Sequence, residues 1–171
     1  MTARLFICAV GAVVLLASRP GEPLAVFPGL GVPSLVEMGW SPDTVFDRIG
    51  KGKKFVHRNR ECVRYTERYR RYGALDLDVH FNRYVEKSDT ARQRVDWLRF
   101  GPRSMVITNS GIAIGRSTRA DVYAVHGPDR PNPNAYYDTL GIGFGFNCAA
   151  HRPYLPTDTV EEIWIFPPRP E

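Results

Sequence analysis

The chain has 171 residues, 43% of them hydrophobic and 12% aromatic, and carries a formal charge of +5. That composition can fill a core and excludes a disordered or fibrous chain. The positive charge is unevenly distributed, which makes position more informative than the total.

At the N-terminus, Arg4 precedes an unbroken apolar run from Leu5 to Ala17, closed by Ser18, Arg19 and Pro20. As a helix this run reaches about 20 Å, short of the roughly 30 Å of hydrocarbon in a bilayer. Charge, apolar run and polar break in that order predict a secretory signal peptide over residues 1–25, in preference to an uncleaved N-terminal anchor. The protein is therefore expected to be exported, periplasmic or extracellular. After removal of that segment Cys62 and Cys148 remain, a candidate disulfide in an oxidising compartment that would contribute about 3 to 5 kcal/mol. Two separate buried thiols are the alternative.

Residues 19–37 read as an extended lead-in, with a short strand within Ser34–Met38. Ser41 followed by Pro42 predicts a helix start, Gly50 a stop, and Val45 with Ile49 a buried i, i+4 pair on a helix over 42–49. Leu75, Leu77, Val79 and Phe81 alternate with polar residues and predict a strand over 75–82. Further on, Thr118 and Asp121 form a capping-box start, Val122 and Val125 the apolar side, and Gly127-Pro128 the stop of a second helix. Leu140, Ile142, Phe144 and Phe146 then repeat the alternation, and Val95–Phe100 finds a counterpart in Glu162–Phe166.

The two helices are offset by 77 residues and the strands by 65, which leaves a 12-residue insertion in the first half. The expected fold is α+β: two tandem units of one helix and three antiparallel strands, over residues 26–103 and 104–171, with the helices on one face of the sheet or sheets. The run Gly111-Ile-x-Ile-Gly115-x-Ser117, the helix with Val122, Gly127-Pro128, Tyr137-x-x-Leu-Gly-Ile142 and the closing strand resemble the unit of exported bacterial proteins of the BamE (SmpA) type. Two such units in tandem resemble proteins like the beta-lactamase inhibitory protein. The resemblance implies non-enzymatic protein binding at the cell envelope. The chain lacks a lipidation cysteine of the BamE kind, and neither beta-lactamase inhibition nor a place in outer-membrane assembly is carried over.

Between Arg48 and Arg71 the chain has ten Lys and Arg residues against Glu61 and Glu67. The candidate partner-binding residues are Lys51, Lys53, Lys54, Arg58, Arg60, Arg64 and Arg68, which suit a protein or anionic envelope component, including a membrane surface. Tyr65, Tyr69 and Tyr72 interleave with them, but an exported protein rarely meets nucleic acid, and none is expected as partner. A merely solvated basic face is the bland alternative.

Asp76, Asp78 and His80 alternate on one side of the predicted strand. They are candidates for a cation site or for acid–base chemistry, and a small hydrolase or metal-dependent enzyme is the alternative function. The more ordinary role for these three is a wet strand face or pairing with nearby arginines. Their counterparts Gly141, Gly143 and Gly145 predict a flat docking strip. Cys148 with His151 is a weaker thiol–base candidate. The expectation is a binding protein with no catalytic residue, cofactor or metal.

Overall fold

A computed structural model describes residues 22–33, 35–58, 66–81, 92–129, 133–147 and 154–170. The signal-peptide run, Arg60, Cys62, Arg64, Tyr65, Cys148 and His151 lie outside the described residues, as do the side chains of Arg58 and Arg68.

Both helices form where local chemistry predicts them. Helix α1 (Pro42–Ile49) begins with the Thr44 N–H donating to Ser41 Oγ at 3.2 Å, with Pro42 in the first turn where no intrahelical partner is needed, and ends at Gly50. Helix α2 (Arg119–His126) has a reciprocal cap: Asp121 N–H donates to Thr118 Oγ1 at 3.3 Å, and Thr118 N–H to Asp121 Oδ2 at 2.7 Å. Helices of eight residues are unstable alone, and each is pinned by one fully buried valine, Val45 or Val122. Each such burial stabilises by about 2 kcal/mol. Val125, expected on the apolar side of α2, is instead 47% exposed, and Arg119 is buried in that helix.

A tyrosine hydroxyl closes each helix. Tyr72 donates to the Gly50 carbonyl at 2.9 Å and Tyr137 to the Gly127 carbonyl at 2.7 Å, satisfying acceptors that helix ends leave open.

The strands are β1 (Leu24–Val26), β2 (Gly31–Val32), β3 (Val36–Glu37), β4 (Lys53–Arg58), β5 (Thr66–Tyr72), β6 (Leu77–Phe81), β7 (Val95–Phe100), β8 (Val106–Thr108), β9 (Asn134–Tyr137), β10 (Ile142–Phe146) and β11 (Val160–Ile165). Seven of them make one antiparallel sheet in the order β4-β5-β6-β7-β11-β10-β9, while β1 pairs with β8 in parallel and β2 with β3 antiparallel. The expected α+β fold of two tandem helix and three-strand units is therefore incorrect. The described chain is mainly β, with eleven strands and two short helices. Two features overturn the expectation. The basic insertion supplies a strand of its own, β4, so four strands and not three follow α1 in the sheet. The strands of both halves then join directly, Leu98 opposite Ile165 and Phe100 opposite Ile163.

One face of this sheet carries Leu77, Val79, Leu98, Phe100, Ile142, Phe144, Ile163 and Ile165, all buried. Helix α1 covers it through Phe46 against Phe81, and α2 through His126 against Phe144, while Val26, Val32, Val36 and Val106 of the short strands complete the same core. Both long alternating segments start later than predicted, because Leu75 and Leu140 lie in the preceding turns. Asp76 turns there with φ +46°, the left-handed conformation that Gly141 takes at the matching position with φ +72°.

The glycine strip is not a docking surface. The ring of Trp164 lies over it, so a Cβ on Gly143 would sit 3.0 Å from Trp164 Cε3 and one on Gly145 3.1 Å from Trp164 Cζ2. Tyr136 stacks on the same indole, centroids 5.3 Å apart. Gly143→Val is accordingly expected to cost about 1–3 kcal/mol in urea unfolding and to shift the tryptophan emission. Gly73→Ala, where a Cβ meets nothing within 4 Å, should do neither.

Candidate functional site

The other face of the sheet and its β4 edge hold the charged and aromatic residues that the core does not use. Register places them in rows. Lys53, Arg71, Asp78, Arg99, Trp164, Gly143 and Tyr136 are successive cross-strand neighbours from β4 to β9, and Phe55, Tyr69, His80 and Trp97 form the adjacent row.

The first row contains a ladder of ion pairs. Arg71 grips Asp78 with two parallel bonds, Nε to Oδ1 at 2.7 Å and Nη2 to Oδ2 at 2.9 Å. Arg99 reaches the same Asp78 Oδ2 at 3.4 Å and donates through Nε to Glu162 Oε2 at 2.8 Å, with a second bond from Nη2 to Glu162 Oε1. Trp164 Nε1 donates to Glu162 Oε2 at 3.0 Å. Hydrogen bonding to Asp78 raises the pKa of Arg71, and hydrogen bonding to Glu162 raises that of Arg99. Two cations and two carboxylates close the ladder without net charge.

Aromatic rings flank it. Phe55 stacks on Tyr69 at 5.5 Å and Tyr69 on His80 at 4.9 Å, with the Arg71 guanidinium 4.6 Å from the Phe55 centroid. Across the sheet Trp97 stacks on Phe166 at 4.9 Å.

These contacts decide the roles open to the predicted acidic row. Asp78 and His80 are buried, at 5% and 7% exposure, and form no wet face. Pairing with arginines, the other ordinary role, is what Asp78 does. Asp76 lies apart in its turn, where Oδ2 accepts the Arg103 N–H at 2.9 Å. The three are not brought together around one point, and among the described residues no group of three or more His, Cys, Asp and Glu side chains could hold a metal ion.

The basic candidates are distributed differently. Lys51, Lys53 and Lys54 are exposed, and among the described residues none of them makes an ion pair. The Lys53 ammonium lies 5.3 Å from the Phe55 ring centroid. On the helix side, the Arg70 guanidinium lies 5.1 Å from the Phe46 centroid. Arg58 and Arg68 belong to β4 and β5, so the insertion is a basic hairpin at the end of the sheet.

Two concave features lie at the opposite end. Arg119, 3% exposed, places its guanidinium 4.0 Å from the Phe146 centroid and 5.2 Å from that of Tyr154, behind a cleft of about 220 Å³. An open groove of about 490 Å³ is lined by His126, Asp129, Tyr137, Asp138 and Arg169 among others. Burial and the nearby Asp129 charge push Tyr137 up to about 12, and burial pushes His126 below the ordinary imidazole value. Nothing in the spacing of these residues identifies them beforehand. The pairings depend on cross-strand register and on a buried arginine that composition rules place at the surface.

Asp78→Asn removes the charge that holds Arg71 and Arg99, and a loss of about 1–3 kcal/mol in urea unfolding is expected. For His126, the folded protein binds the imidazole proton more weakly than the unfolded chain does. Its contribution to stability is therefore complete above the ordinary imidazole value and is lost as pH falls from there through the lowered value of the folded state. His126→Gln is expected to flatten this part of the pH–stability curve, and an unchanged slope would contradict the assignment.

No family model matches the chain, and neither does any curated protein or solved structure with which it was compared. The geometry of its own residues is what bears on function.

Proposed function

We propose that this is an exported, non-enzymatic binding protein of the bacterial envelope that contacts an anionic or protein partner through its basic hairpin. The observation that carries this reading is the contrast between two sets of cations on adjoining strands. Arg71 and Arg99 are neutralised by Asp78 and Glu162, whereas Lys51, Lys53 and Lys54 stand exposed without ion pairs among the described residues. Attractive charge is thus concentrated at one end of the sheet, where it raises the encounter rate with anionic surfaces. Phe55 and Tyr69 beside it supply ring surface for a partner.

The rival reading, an enzyme built on Asp76, Asp78 and His80, has less support. Asp78 is saturated by guanidinium groups, Asp76 holds a turn, and His80 lies stacked against Tyr69. A substrate would have to displace these contacts before any proton could move.

Charge reversal tests the binding role. Lys51→Glu, Lys53→Glu, Lys54→Glu and Arg58→Glu in one chain are expected to lower retention on anionic vesicles or cell-wall preparations at low salt by at least about tenfold, since each cation near such a surface contributes about 1 kcal/mol. Retention equal to that of the unaltered chain would sink the proposal.

A further inference from the structure

The two outermost strands of the sheet are finished differently. At β9 the Asp129 carboxylate folds back along the strand and accepts the Tyr136 N–H at 2.8 Å, so a donor that an added strand would need is already engaged. At β4 no described residue pairs with the free side. Every second residue of an antiparallel edge strand turns its N–H and C=O outward, so β4 presents a row of backbone donors and acceptors that none of the described residues fills.

The side chains along that row alternate. Lys53 and Phe55 lie on the outer face, in line with Arg71 and Tyr69, and Lys54 and Val56 lie on the face of the helices, in line with Arg70. Val56 is 50% exposed, a large apolar side chain left without cover on an edge otherwise marked by lysines. The lysines disfavour a second copy at this edge, because like charges directly opposite one another repel. They favour a strand of opposite charge.

We infer that β4 is a strand-addition site for an extended acidic segment of a partner protein. Two acidic residues of that segment lie beside Lys53 and Lys54, and two apolar residues beside Phe55 and Val56. Main-chain bonds hold the segment and the alternate side chains select it. This deepens the binding role proposed above and rests on it, naming an acidic protein segment in place of a lipid or wall polyanion.

The test uses the full chain and three synthetic peptides of one sequence containing Val-Val-Glu-Glu, the order that antiparallel pairing with Lys53-Lys54-Phe55-Val56 requires. One is unmodified, and the other two are N-methylated on one or the other alternate set of residues. An added strand uses the donors of a single alternate set. One methylated peptide is therefore expected to bind about tenfold or more weakly, while the other binds like the parent. Amide exchange in residues 53–58 should also slow when the unmodified peptide is bound. Equal binding by the two methylated peptides overturns strand addition, because charge alone does not sense which amides are blocked. Absence of binding by the unmodified peptide overturns it as well, and retention on anionic vesicles in that case assigns the lysines to a lipid surface. The broader binding role is read separately from the charge-reversed chain, so the two failures are distinguishable.

Discussion

Leu98 against Ile165 and Phe100 against Ile163 form the seam between β7 and β11, and the remaining layers depend on that seam. It joins a run of four strands, β4 to β7, to a run of three, β11 to β9, and makes their apolar faces continuous. A hairpin with one apolar face has to cover that face, and two-turn helices are too small to do so alone. The continuous sheet lets α1, α2 and the short strands β1, β2, β3 and β8 share one core in which Val45, Val122, Val26 and Val106 are all buried. On the reverse side the same seam sets Arg99 within reach of Glu162 and lays Trp97 against Phe166. A single strand pairing therefore organises both faces.

The reverse face shows how a protein with a basic surplus partitions its charge. Asp78, almost wholly buried, accepts its hydrogen bonds from Arg71 and Arg99, as a buried carboxylate needs partners. Those arginines are consequently structural, and their positive charge is spent internally. Among the described residues no carboxylate pairs with the Lys51, Lys53 and Lys54 ammonium groups, so the field of these cations is centred on β4 and not on the middle of the sheet. A sum over sequence cannot separate these two populations.

What could be read from the sequence is what local chemistry determines. Ser41-Pro42 and the Thr118–Asp121 box mark helix starts because the side chains that cap a helix sit within three residues of the amides they serve. Alternation identifies β6 and β10 because period two follows from the pleat. Pairing is not local. The offsets of 65 and 77 align similar segments without indicating that β7 meets β11, and the residues counted as an insertion form β4. The candidate site suffered in the same way. Alternation with leucine and valine leaves Asp78 either a wet face or an arginine partner, and only the register shows that Arg71 of β5 and Arg99 of β7 bury it. The glycines of β10 looked bare because the indole that covers them belongs to β11. Lys51, Lys53 and Lys54 were legible, since an exposed lysine needs no partner to be correctly placed.

The Asp129 carboxylate on the Tyr136 amide has a consequence for assembly. A sheet with two open edges can join head to tail, each β4 meeting the β9 of the next copy, and such a heterologous contact repeats without limit. With the Tyr136 amide of β9 already engaged, that route to a fibre is disfavoured. The remaining route, β4 against β4, is self-complementary and would stop at two chains, with Lys53 opposite Arg58 across a fully overlapped join. One side-chain hydrogen bond thus makes the two edges of the sheet unequal as templates for an added strand.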